Sequence, residues 1–424
     1  MPSQRRDFRV RTILKNMASV LGGEATVRVA NLVAALAIAR LYGPAILGLY
    51  GACLAVVTTL AMFADNGLQL SAVTEIASVS SSQSFRIVGE LYLSKTILCI
   101  LVVLLLLSIG LAGGFPPSYW LVGALVTFRT LLQSYSQLQI AILKSLFRMH
   151  LIGIIQAVHA GILILAVSFA FISRWLLLAF LAVLVAGQAL ELLLMSAAVF
   201  HAGIRPRWPA VSSCLSLMKR SFPLGLGYAL MNLIVRLDVL VLSVVVSLTE
   251  MGQFSAADNL LVVAYLGAWL FGSVLFPEMV KLAGSADQLD RFLNRWIRFS
   301  FLAIVPAALL CYLFAPRAIV ALYGSNFARA GELASWMVLA CPFIISNSLY
   351  LHHTIAIGAK RAYLWILFAA TLLAVGLDLF LARQFGAAGV VAAILIRESL
   401  LFLVFSLRHF HVGRSAVELG VPAS

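Results

Sequence analysis

The run Ile97-Leu98-Cys99-Ile100-Leu101-Val102-Val103-Leu104-Leu105-Leu106-Leu107-Ser108-Ile109-Gly110-Leu111 contains no charged residue. It lies inside an apolar stretch, 91–113, that is long enough as a helix to cross a bilayer. A helix rises ~1.5 Å per residue, and the hydrocarbon core is ~30 Å thick. Similar stretches occupy 17–41, 46–66, 118–142, 151–173, 175–200, 222–246, 252–277, 297–315, 331–356, 362–382 and 387–408. Together they predict twelve spanning helices. The first is the weakest, because Glu24 and Arg28 interrupt it, each costing roughly 2.5–3.5 kcal/mol at the membrane centre. The apolar run from Val27 to Leu41 carries it across.

Composition agrees with this reading. Of 424 residues, 62% are hydrophobic and only 11% charged, against roughly 25% charged in soluble domains. A soluble fold would have to expose large apolar patches, whereas lipid solvates them. The chain therefore reads as an all-α integral membrane protein. Its first 16 residues carry Arg5, Arg6, Arg9, Arg11 and Lys15 without a cleavable apolar signal, so the N-terminus is expected to stay cytoplasmic.

A net charge of +14 can point to nucleic acid. In a membrane protein the same excess belongs in cytoplasmic loops, and no nucleic-acid partner is expected. With both termini inside and alternating helices, the outer loops hold Arg40, Arg174, Arg317, Arg329 and Arg383. Arg28, Arg129, Arg236 and Arg397 fall within spans. The other 21 of the 30 Lys and Arg, Lys95 and Lys219 among them, fall in cytoplasmic segments or at their edges. The longest of these are 67–90, 201–221 and 278–296. In the last, Arg291, Arg295 and Arg298 alternate with Phe292 and Trp296, as in a helix lying on the membrane surface.

Cys53, Cys99, Cys214, Cys311 and Cys341 are scattered with no metal or redox spacing. The adjacent His352 and His353 have no third ligand nearby in sequence, and His159 reads as a structural histidine. No metal and no cofactor are expected.

An internal repeat appears at an offset of 204 residues. Gly48, Tyr50 and Ala52 correspond to Gly252, Phe254 and Ala256, each set opening a helix after a tight outer turn. The offset also carries helix one onto seven and three onto nine. The chain thus divides into a first six-helix half (1–200), a cytoplasmic linker (201–221) and a second half (222–424). An even number of helices per repeat gives halves of the same orientation, with the substrate expected in the cleft between them.

Five local sequences, in order, resemble the Wzx-type polysaccharide flippases of the superfamily that also contains multidrug extruders and lipid II flippases. They are Arg40-Leu41-Tyr42-Gly43-Pro44 with Gly48-Leu49-Tyr50, and Asp65-Asn66-Gly67-Leu68 with Glu75. Ser221-Phe222-Pro223 follows, with Asp238 and Gly252-Gln253-Phe254-Ser255-Ala256-Ala257. Leu322-Tyr323-Gly324 with Phe327 and Ala330, then Gly386-Ala387-Ala388-Gly389, complete the set. The resemblance spans about 15–410. It implies two pseudo-symmetric six-helix bundles around a central cavity. It also implies export of undecaprenyl-pyrophosphate-linked oligosaccharide across the bacterial inner membrane for surface polysaccharide. Partners would be that substrate, membrane lipid, and the polymerase and other assembly proteins.

Charges within spans are costly and usually face a wet cavity or one another. A flippase must carry a pyrophosphate across the low-dielectric centre, and a guanidinium matches phosphate oxygens bidentately. Arg28 and Arg236 are the leading substrate-binding residues. The repeat sets Arg28 against Asn232, one helical turn from Arg236. The alternative is structural pairing, of Arg28 with Glu24 and of Arg236 with Asp238. In helix four, Arg129, Gln133, Ser136 and Gln137 share one face, either as a hydrated glycan stripe or as a polar packing face. Arg397 and Glu398 read as a local ion pair or an interface anchor. Any of the acids within spans, Glu24, Glu191, Asp238, Asp258 and Asp378, could bind a coupling proton or sodium ion or pair with an arginine; Asp258, Asp238 and Glu24 are the coupling-ion candidates.

Two rivals remain. An ion-coupled multidrug extruder of the same superfamily would want a more acidic and aromatic cavity. A polytopic polysaccharide polymerase or ligase would want a long external loop, and the outer loops here are short. The chain reads as a transporter and not as an enzyme.

Overall fold

A computed structural model describes the backbone over 2–65, 67–77, 81–113, 116–207 and 209–418, and side chains over most of 19–407. The N-terminal basic cluster and the side chain of Asn232 lie outside the described residues. Twelve α-helices run in order: α1 Pro2–Asp65, α2 Leu68–Ala77, α3 Ser81–Gly113, α4 Pro117–Ser145, α5 Met149–Ile172 and α6 Leu177–His201. They continue as α7 Val211–Val245, α8 Leu248–Leu282, α9 Ala286–Tyr323, α10 Ala328–Val338, α11 Cys341–Ala356 and α12 Lys360–Glu418. No strand occurs among the described residues.

Two of these helices are too long to be single spans. α1 has 64 residues and α12 has 59, so each unbroken would reach ~90 Å, about three bilayer cores. Both break at a glycine. Gly43 has φ 78° with ψ −178° and Gly386 φ 60° with ψ −136°, a positive-φ backbone that costs a residue with a Cβ roughly 1–3 kcal/mol. Each helix is therefore two spans joined at the turns expected near 42–45 and 383–386. Seven apolar segments of spanning length are present, α1 and α12 each counting once, and α10 with α11 adds a span bent by 46°. The more polar α4 and α7, with 29 and 35 residues, are long enough to cross as well. With the two long helices split, these complete the twelve.

Contacts divide the chain into two units, one of Met1–Tyr42 with Ala52–Ala229 and one of Gly43–Gly51 with Leu230–Ser424. The first half of α7 thus packs with the N-terminal helices. In the first unit α4 packs on α6 and α2, and α5 on α6, around a core that includes Leu68, Leu91, Leu138 and Ile142. In the second unit α8 packs on α11 and α10, and α9 on α10. Leu293, Leu349 and Tyr350 stand in its core.

The repeat has a physical counterpart within the second unit. A methyl group placed on Gly48 would overlap the Leu248 carbonyl, and one on Gly252 would overlap that of Pro44. The 204-residue offset turns the first of these contacts into the second. Gly48 and Gly252 are thus matched small residues that let two backbones touch. Close by, the Glu250 carboxylate accepts from the Ala387 amide at 2.8 Å. It thereby satisfies a free N–H at the start of the second segment of α12.

Candidate functional site

The ionisable residues within the spans sort by what they touch. In the first unit, Lys95 is wholly buried, and its Nζ donates to Asp65 Oδ1 at 2.8 Å. The sequence reading put Lys95 with the cytoplasmic edges. Its ammonium instead lies inside, neutralised by the aspartate that ends α1, because a lone lysine has no other cheap way to stay buried.

Arg129 is also buried. Its Nη2 donates to Asn31 Oδ1 at 2.6 Å, and its charge acts on both His159 and Glu191. Gln188 Nε2 donates to Glu191 Oε2 at 2.6 Å, and His159 Nδ1 lies 3.8 Å from that oxygen. Ser136 is fully buried, while Gln133 and Gln137 are half-buried. Within the α4 stripe, Arg129 and Ser136 have polar partners on neighbouring helices, Asn31 and Gln188. These contacts join α4 to α1 and α6. Glu24 is half-buried, and Arg28 is exposed. The Arg28–Glu24 ion pair does not form among the described residues.

The second unit holds a larger cluster. Arg397, wholly buried, donates through Nη1 to Asp238 Oδ1 at 2.7 Å and through Nη2 to Asp238 Oδ2 at 3.4 Å. Its Nη2 also reaches the Tyr265 hydroxyl at 3.2 Å, and its Nε lies 3.5 Å from Glu398 Oε1. Tyr265 donates to Glu398 Oε1 at 2.9 Å, and Asn347 Nδ2 donates to Glu398 Oε2 at 2.9 Å. Asp378, also wholly buried, comes within hydrogen-bonding reach of Asp238, yet neither of its oxygens has a donor. Asp258 on α8 feels the charges of Arg236 and Asp238.

This corrects the pairing expected for Asp238. Its partner is Arg397, 159 positions away, and not Arg236. Residues two apart on a helix point to different sides, so Arg236 and Asp238 cannot share one contact. Arg397 does pair with Glu398, as expected, but its fork is spent chiefly on Asp238, and its complete burial rules out an interface anchor. Arg236 is half-buried and forms no ion pair among the described residues. The expected residues Arg236, Asp238 and Asp258 do gather in one unit. Asp378, Arg397, Tyr265 and Asn347 join them; the sequence offers Asp378 as an acid within a span and Arg397 as half of a local pair, but gives no sign of Tyr265 or Asn347. Nothing local marks the neighbour of Asp378.

Long apolar helices, outward-facing leucines and buried charge pairs define a multi-pass helical membrane protein. The chain belongs to the polysaccharide biosynthesis protein family, whose model matches residues 13–283. No curated protein matches it. Among solved structures, it is similar in fold to a lipid II flippase MurJ in an inward closed conformation, at TM-score 0.75 and 14% identity. That match covers 91% of this chain and 86% of the other. It is also similar to an inward-facing multidrug resistance transporter of the MATE family within the MOP superfamily, at TM-score 0.71 and 13% identity. There the coverage is 92% of this chain and 96% of the other. A third match is a MOP superfamily transporter from Pyrococcus furiosus, at TM-score 0.58 and 13% identity, covering 96% of each chain.

Proposed function

We propose that this protein moves undecaprenyl-pyrophosphate-linked oligosaccharide from the cytoplasmic to the outer leaflet of the bacterial inner membrane. It does so by alternating access, with both termini cytoplasmic, ahead of a polymerase and other assembly proteins. One observation carries the reading. Lys95, Arg129 and Arg397 are buried and engaged by partners, while Arg28 is exposed and Arg236 half-buried, with no ion pair among the described residues. Cations that the scaffold does not consume are kept at a cost inside a membrane. A phosphate-bearing substrate is the ligand class they suit best.

The acid cluster fits the coupling role proposed for Asp238 and Asp258, with Asp378 added. Asp238, Asp258, Asp378 and Glu398 stand against Arg236 and Arg397, so full ionisation leaves an excess of two negative charges. A proton or sodium ion would relieve it. Glu24 stands apart in α1. The same excess favours the second reading, an ion-coupled multidrug extruder.

Export of surface polysaccharide in a strain lacking its own flippase separates the two. Arg28→Ala breaks no ion pair and should reach the membrane at normal levels. Arg236→Ala takes a counter-charge from Asp258, so its export is scored per molecule in the membrane. In both, export should fall about tenfold or more for a lost charge-assisted contact. Arg236→Lys should fall less, since it keeps the charge and loses only the fork. Full export by both alanine variants, or a gain of drug resistance with no export by the wild type, would favour the extruder.

A further inference from the structure

The first unit contains a cavity of about 370 Å³, unrelated to the charge clusters. Met62 of α1 and Leu98 of α3 form one side, and Lys219, Phe222, Leu226 and Ala229 of α7 form the other. The α7 residues recur three or four apart, so they make one stripe of that helix. Phe222 and Leu226 are large apolar side chains left substantially exposed, at 54% and 42%. The stripe is held in place from behind. Gly67 packs on the backbone at Ser221 and Gly225, and the Ser71 and Ser221 hydroxyls meet at 2.7 Å.

Of the residues lining this cavity, Lys219 alone carries a charge. It is exposed and has no hydrogen bond or ion pair among the described residues. Its neighbour Arg220 faces Glu75 at 3.7 Å. From Lys219 to Ala229 the helix rises ~15 Å, half of a ~30 Å hydrocarbon core. The site thus offers one cation at the end of an apolar trough about one leaflet deep. At the small end of the ~300–1,000 Å³ range of ligand sites, it suits one chain better than two.

We infer that this cavity seats the isoprenoid chain of a polyprenyl phosphate lipid, with Lys219 on its phosphate. The inference rests on the proposed flippase function, which supplies the choice of an isoprenoid chain, and it adds a place for the tail that Arg28 and Arg236 do not address. An exposed ammonium at the mouth of the trough can donate charge-assisted hydrogen bonds to a phosphate oxygen, while the apolar trough takes the adjoining hydrocarbon.

Purified full-length protein in detergent tests this with undecaprenyl phosphate, undecaprenol, phosphatidylglycerol and inorganic phosphate, read by native mass spectrometry. Undecaprenyl phosphate should bind roughly tenfold or more tightly than undecaprenol, and inorganic phosphate should not compete. Lys219→Gln should lower undecaprenyl phosphate to the level of undecaprenol. Ala229→Phe, which fills the trough, should weaken both. Unchanged binding in both variants would overturn the inference, as would equal displacement by phosphatidylglycerol, which would make the trough an ordinary lipid site. A polyprenyl phosphate bearing a photoreactive group guards against misfolded variants, since on the wild type it should label α7 between Leu215 and Ala229. Labelling elsewhere alone overturns the site. If the wild type supports export while the label avoids α7, only the cavity assignment falls. If it labels α7 yet supports no export, the cavity stands and the flippase reading falls.

Discussion

Each unit buries an aspartate against a cation, and the two arrangements differ in balance. Asp65 and Lys95 make a closed pair, one acid and one base joined at 2.8 Å. Asp238 and Arg397, at 2.7 Å, sit among Glu398, Asp378 and Tyr265. Opposite charges inside a membrane need only cancel to persist. The first site cancels, so it needs nothing further from outside. The second holds more acid than base, and it can reach neutrality only by taking up a cation or a proton. On the function proposed above, the balanced pair serves as scaffold and the unbalanced cluster as the place where a coupling ion binds.

The largest effects should come from removing the cations. Arg397→Leu leaves three buried acids without their counter-charge, and Lys95→Met leaves Asp65 alone. Breaking a buried pair costs ~3–5 kcal/mol, so both variants should lose most of their thermal stability in detergent. The double variants then break or sharpen the contrast. Asp65→Leu with Lys95→Met should recover stability, because apolar replacement of a balanced pair is often neutral. Asp238→Leu with Arg397→Leu should recover only partly, because Asp378 and Glu398 remain. Equal recovery at both sites would erase the distinction.

A smaller and more selective effect is expected from Asp378→Asn. It removes one of the excess charges without breaking an ion pair, so the protein should accumulate and melt normally. Export should lose its response to an imposed proton or sodium gradient, by about tenfold within the usual range of coupling between sites. A normal gradient response would remove Asp378 from coupling. The smallest change should follow Tyr265→Phe, which deletes the hydroxyl bridging Arg397 and Glu398. A hydrogen bond to a charged group contributes about 1.5–3 kcal/mol, and here other partners share the load, so a loss near 1 kcal/mol is expected by thermal melting. A much larger loss would show that the second site depends on its hydroxyl bridge more than on its ion pair.

Several features were legible because they depend on local chemistry. Gly43 and Gly386 mark breaks because a residue without Cβ tolerates a positive-φ backbone. The matched Gly48 and Gly252 signalled the repeat, and they prove to be where the two backbones touch. Arg397 and Glu398, adjacent in sequence, were read as a pair and are one. Legibility failed where a partner comes from a distant helix. Asp238 could be assigned to an arginine, but the near candidate, Arg236, faces another way. Lys95 shows the same failure: nothing near it in sequence marks Asp65, 30 positions back, as its partner.

By itself the sequence determined that the chain lives in a membrane, that its longest helices break near Gly43 and Gly386, and that its charges within spans are few enough to matter. These follow from free energies each residue carries wherever it sits: transfer into hydrocarbon, backbone freedom, and the cost of an isolated charge. Which charge neutralises which was decided only by tertiary structure. The two pairings depend on distances of 2.8 and 2.7 Å between side chains 30 and 159 positions apart, and helix packing sets those distances. The same packing leaves Arg28 and Arg236 without ion pairs among the described residues while Lys95 and Arg397 are consumed.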